Sequence, residues 1–143
     1  MCNYCWNGGN QYMLEQRKWA ILLIRIAAIF GLVGVLIGSM MSGDQNYAYK
    51  PVHAHVTLVG WLSVFAWGIF YYSVPVKKLI IVKVHSIFGI LGALGLTVGM
   101  YVYNFYDETW AMIFFIVGGT VLLLAFTLFI VSTWLIKNEQ MNP

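Results

Sequence analysis

The chain has 143 residues, 61% of them hydrophobic and 17% aromatic, with only 9% charged and a formal net charge of +3. A soluble domain carries about 25% charged residues, and the mean hydropathy of +0.78 points away from one here. Eight Lys and Arg against five Asp and Glu make no nucleic-acid surface on so apolar a chain. These values describe a multi-pass membrane protein with no separate soluble domain.

A spanning helix needs about 20 mostly apolar residues, and four such runs follow in order. The first covers 19–41, broken only by Arg25, and the polar Gly43-Asp44-Gln45-Asn46 ends it. The second covers 52–74, between Pro51 and Pro75, residues that suit helix edges. The third covers 79–103 after Lys77-Lys78, and the fourth covers 110–136 after a connector bearing Asp107 and Glu108. With short connections throughout, the chain reads as one all-α membrane domain, a four-helix bundle spanning 1–143. No cleavable leader is visible, because the first apolar run is too long for one.

Cytoplasmic connections collect Lys and Arg. Arg17 and Lys18 precede the first span, Lys77, Lys78 and Lys83 surround the second connection, and Lys137 follows the fourth span. Both termini are therefore expected in the cytoplasm. Cys2 and Cys5 lie in the N-terminal tail and build no disulfide framework. Their CxxC spacing lacks the following His of covalent haem attachment, with Trp6 in its place.

Small residues recur at helical spacing on two spans. Ala27, Gly31, Gly34 and Gly38 share a face of the first, and Gly89, Gly92, Gly99 and Tyr103 share a face with His85 on the third. Such faces let helix backbones approach closely in lipid. They are also candidates to admit a flat cofactor or a second copy of the chain.

The three histidines, His53, His55 and His85, all fall in spans or at their edges, where ionisable residues are functional candidates by default. His53 and His55 are two residues apart and point about 200° apart in a regular helix, so a shared metal needs a frayed first turn. Periodicity turns His53 toward the bundle with Thr57, Gly60, Val64, Gly68 and Tyr71. His55 shares its side with Val59, Leu62 and Ala66, so periodicity alone chooses His53 as the ligand.

The run His53-Ala-His-Val-Thr-Leu-Val-Gly-Trp61, with Gly68 and Tyr71 beyond it, resembles the HAHxxLxGW segment of small membrane proteins related to subunit I of haem-copper oxidases. It also resembles the second-helix segment of the nitric oxide reductase branch, whose His-x-Asn-Leu-Leu supplies an axial ligand to low-spin haem b. The His- and Gly-bearing run from Val84 to Gly89 is similar to the third-helix segment of the small family. The resemblance implies a haem b protein of a bacterial-type plasma membrane, used in electron transfer or haem-linked sensing. It places the ligand at His55, with Thr57 where the relatives have Asn, and brings Gly60 and Trp61 into the cofactor's surroundings. Those large relatives have about twelve helices and six or more His. This chain lacks the His set of a binuclear centre, so reduction of oxygen or nitric oxide by a single copy is not expected.

A six-coordinate haem needs two axial ligands. His55 and His85 should differ by about 20 Å in depth across antiparallel helices and so do not share one iron. The second ligand then comes from another copy of the chain, from Met100 or Met112, or His85 marks a separate inner cofactor position. A homo-oligomer follows from the first option, with a dimer favoured over a trimer. Arg25, at the depth of His85, either snorkels to the surface or pairs with a haem propionate. A rival reading takes Met40, Met41, Met100 and Met112 with the outer His residues as a copper-handling set. Another makes the chain a structural small subunit of a respiratory complex.

Overall fold

The computed structural model describes residues 3–45, 47–106 and 108–136, with side chains from residue 11 onward. Four helices long and apolar enough to cross a membrane make up nearly all of it. They are α1 (Asn3–Asp44), α2 (Tyr47–Ser73), α3 (Leu79–Phe105) and α4 (Thr109–Trp134). In hydrocarbon every backbone N–H and C=O must be satisfied within the segment, so apolar runs of this length become helices.

Three of the four expected spans differ from the observed helices only at their ends. The first does not. Sequence reading begins it at Trp19, but α1 begins at Asn3. Its 42 residues amount to about 63 Å at ~1.5 Å per residue, twice the ~30 Å hydrocarbon core. The polar residues before Trp19 contain no proline to break the helix, and two of them dock it. Gln16 is fully buried; its Nε2 donates to Tyr71 O and Val74 O, both at 2.7 Å, and its Oε1 accepts from Val76 N at 3.1 Å. Tyr12 Oη donates to Val76 O. These bonds clasp α1 to the 74–78 connection, whose Lys77 N–H also reaches Leu135 O of the α4 end. Gln45, in the left-handed region at φ 50°, terminates α1.

α2 is not uniform. A 3₁₀ turn (Tyr47–Tyr49) leads into an α-helical start (Lys50–His55) with Pro51 in its first turn. A π-helical stretch (Val56–Ser63) follows, and α-helix resumes at Val64. The wide turn is tied by its own hydroxyls: Ser63 Oγ donates to Leu58 O at 2.9 Å, and Thr57 Oγ1 to His53 O at 2.8 Å. π-helical turns are rare and concentrate at functional sites.

Packing uses the small residues, but within the chain. On α1, a Cβ on Gly34 would lie 2.6 Å from Thr57 Cγ2, and one on Gly38 3.0 Å from the His53 ring. On α3, a Cβ on Gly92 would lie 2.6 Å from the Leu122 backbone, and one on Gly99 2.7 Å from that of Phe115. The glycines thus join α1 to α2 and α3 to α4. This corrects the expectation that they offer surfaces to a second copy or a slot for a cofactor. The core runs between the two hairpins through Leu23, Phe30, Val64, Trp67, Tyr71, Val82 and Ala93.

Candidate functional site

The polar side chains of the bundle gather at two levels. The first lies inside the bundle, near the 74–78 connection. His85 of α3 is fully buried, and its Nδ1 is 2.9 Å from Tyr71 Oη of α2. Tyr71 Oη donates to Ser132 Oγ of α4 at 3.0 Å, and Ser132 donates onward to Phe129 O at 2.8 Å. With Ser132's proton on a carbonyl and Tyr71's on Ser132, the proton between His85 and Tyr71 belongs to His85 Nδ1. That leaves Nε2 with a bare lone pair. It is buried without a partner, as is the neighbouring Ser86 Oγ. Trp67, Tyr71 and Phe129 surround the imidazole with ring centroids 4.7, 5.4 and 5.5 Å away. Trp67 also lies on Gly89, where a Cβ would be 3.0 Å from its ring. A porphyrin does not fit beside an imidazole so enclosed.

The second level is the other end of the bundle, where α2 begins. His53 is half-buried, and its Nδ1–H donates across the helix interface to Gly34 O at 3.0 Å. His55 is also half-buried, but its Nδ1–H stays within α2 and donates to Pro51 O at 2.9 Å. Each bond fixes the tautomer with Nε2 as the lone-pair nitrogen, the arrangement typical of a metal-ligating His. The regular turn at Lys50–His55 sends the two Nδ1 atoms to different helices. The shared metal that a frayed turn would allow is not assembled. Among the described residues no group of three or more His, Cys, Asp or Glu surrounds a metal position.

The remaining candidates have structural surroundings. Gly60 is buried and accommodates the Phe30 ring, and Trp61 lies over Gly31 with 48% of its surface exposed. Met100 is half-buried against the core, and Met112 is exposed. Arg25 is exposed on the outside of α1, whereas His85 is enclosed, so the two do not form one site. Cys2 and Lys137 lie outside the described residues, as does the side chain of Cys5.

His85 contacts Tyr71, sixteen residues beyond His55 on α2, which separates the two levels by on the order of 20 Å. An apolar groove of about 490 Å³ opens on the seam of α1, α2 and α3, and none of the three His lines it. Sequence reasoning misses Ser132 and Gln16, and it gives Tyr71 only as a residue on the His53 face and beyond the His53–Trp61 segment. The signal of Ser132 is a polar group on an otherwise apolar helix stretch, which in lipid needs a partner, whereas Gln16 sits among Glu15, Arg17 and Lys18 and carries no such signal. No family model matches the chain, and neither the comparison with curated proteins nor that with solved structures finds a match.

Proposed function

We propose that the chain is a membrane haem b protein that binds iron through His55 Nε2 at the α2 start and serves electron transfer or haem-linked sensing. The observation that carries this reading is the contrast between the two neighbouring imidazoles. His53 uses its Nδ1–H to tie α2 to α1 through Gly34 O, while His55 uses its own only to brace its ring on α2 through Pro51 O. The brace orients the ring and strengthens Nε2 as a donor. The donor set fits haem iron, for which an imidazole nitrogen is the ordinary axial ligand. Bound there, haem supplies a one-electron couple, the use natural to a six-coordinate iron.

The chain's part is to hold and orient the imidazole. The His55 of a second copy would be the other residue to hold the group, in a dimer whose interface would include the half-buried edge of α2. Both termini face the cytoplasm of a bacterial-type plasma membrane, in line with Arg17, Lys18, Lys77, Lys78 and Lys83 at one end.

The test is the visible spectrum of the full chain purified in mild detergent. A Soret band that sharpens on dithionite is expected in the wild type, in His53→Ala and in His85→Ala, and its loss in His55→Ala. Haem retained by His55→Ala overturns the ligand assignment. Colourless protein carrying stoichiometric copper would favour the copper-handling reading. A monomer with a full haem complement would move the second ligand to Met100 or Met112.

A further inference from the structure

The haem reading leaves the buried His85 cluster unused, and that cluster joins the two hairpins of the bundle. His85 comes from α3, Tyr71 from α2 and Ser132 from α4, in one chain of hydrogen bonds at 2.9 and 3.0 Å. Tyr71 is also the residue that α1 grips, because Gln16 Nε2 donates to its carbonyl at 2.7 Å. All four helices therefore meet at Tyr71, one turn from the 74–78 connection.

The closed cluster has a place for one imidazole proton, on Nδ1 toward Tyr71 Oη. A second proton would go to Nε2, which is buried without a partner. Trp67 and Phe129 close in on the ring, with centroids 4.7 and 5.5 Å from its own. An imidazolium there would add a charge and an unsatisfied donor to an apolar interior.

The packed elements bring no counter-charge. From α2 the Tyr71 hydroxyl faces the ring, while Tyr72 is exposed under the Arg17 guanidinium. α4 presents Ser132 and Phe129, which are neutral. On α3, Lys83 is another cation, two residues toward the connection. On α1, Glu15 is held by Lys18 at 2.6 Å, and the Tyr12 hydroxyl is spent on Val76 O. Among the described residues no carboxylate faces His85.

A proton reaches Nε2 only when this end of the bundle opens. The way in is short, since His85 lies six residues beyond Leu79, about 9 Å at ~1.5 Å per residue. We infer that Tyr71, held by Gln16 on one side and His85 on the other, is a proton-sensitive latch. Acidification on the side of the 74–78 connection releases α2 from the α3–α4 hairpin at this end. Once open, His85 is an ordinary imidazole that takes up a proton below about pH 6.5. Uptake by the open form favours opening as the pH falls and leaves the closed form favoured above that value.

The test is hydrogen exchange of the full chain in phosphatidylcholine nanodiscs, read by mass spectrometry and corrected for the intrinsic pH dependence of amide exchange. Between about pH 7.5 and about pH 5.5, opening of the wild type over 70–76 and 82–88 should rise about tenfold, the ratio for one imidazole of ordinary affinity. Exchange over 92–103 should not change. His85→Phe keeps a ring in the space but takes no proton, and should lose the rise; His85→Gln is a second variant that does not titrate. Tyr71→Phe should open more at both pH values and keep the rise, as should Glu15→Gln and Lys83→Gln at the wild-type level of opening. Far-UV circular dichroism and monodisperse elution establish that each variant is folded. A flat wild type overturns the latch. A rise that survives in the folded His85 variants, or that is equal over 92–103, overturns it as well. The readout does not depend on haem content, so its failure is distinct from failure of the His55 assignment.

Discussion

His53 and His55 are two residues apart on α2, yet the carbonyls that hold their Nδ1 protons belong to different helices. Gly34 O of α1 takes the first at 3.0 Å, and Pro51 O of α2 takes the second at 2.9 Å. One bond joins two helices and the other only orients a ring. The two substitutions should therefore separate stability from ligation. His53→Ala removes an interhelical bond and the ring that covers Gly38, and should destabilise the bundle by about 1–3 kcal/mol. His55→Ala should cost about 1 kcal/mol or less. Thermal unfolding in detergent, followed by circular dichroism, measures both. Equal losses would contradict the division of roles.

The α1–α2 contact makes a second prediction. Gly34→Val would thrust a side chain at Thr57, whose Cγ2 already lies 2.6 Å from where a Cβ would stand. Overpacking of this kind costs about 1–3 kcal/mol. Thr57→Ala in the same chain should recover part of that loss, because it removes the methyl that clashes. If the second substitution adds to the damage, the two helices are not packed through this pair.

Tyr71, His85 and Ser132 form one chain of hydrogen bonds, so their deletions should not add. Tyr71→Phe leaves His85 Nδ1 and the Ser132 hydroxyl each without one buried partner, a loss of about 1–3 kcal/mol. Ser132→Ala should cost less, since Tyr71 can then donate to His85 in the opposite tautomer. A double-mutant cycle should give a coupling on the order of 1 kcal/mol. Strict additivity would show that the three side chains act separately.

Gln16 makes three hydrogen bonds to the 71–76 segment, using both amide N–H groups and its oxygen. Gln16→Leu should lower stability by about 2 kcal/mol or more, because Val76 N–H and two carbonyls lose their partner. Hydrogen exchange read at the Val76 amide should accelerate while exchange in the α3–α4 hairpin stays slow. Unchanged protection at Val76 would mean that the connection is held by Tyr12 and Leu135 alone.

The spans were legible because lipid imposes one rule along their whole length, a run of apolar residues that can only be helical. Helix ends outside the bilayer obey no such rule, and α1 runs back to Asn3 for reasons that hydropathy does not carry. The clasp at Gln16 is a tertiary effect between residues some sixty positions apart. The inward face of His53 followed from periodicity, and its ring does meet Gly34 and Gly38 of α1. The π-helical stretch at Val56–Ser63 did not follow, because a uniformly apolar run carries no mark of a wider turn. The glycine stripes were legible as close contacts but not as contacts with a given helix. Small residues state that something approaches; they do not name it. The His85 cluster stayed hidden for a related reason, since Tyr71 and Ser132 join it from two other helices.

The Gln16 clasp also orders events during synthesis. The amide emerges from the ribosome at position 16, but its partners are Tyr71, Val74 and Val76. Until those are made, α1 has a polar group beside the bilayer whose designated partners do not yet exist, and water or the insertion machinery must serve it. The second span supplies them only once it has crossed the membrane and returned its end to the level of Gln16. Closure of the first hairpin thus reports the completed insertion of α2, and a chain truncated before Tyr71 would have none of the partners with which to make it.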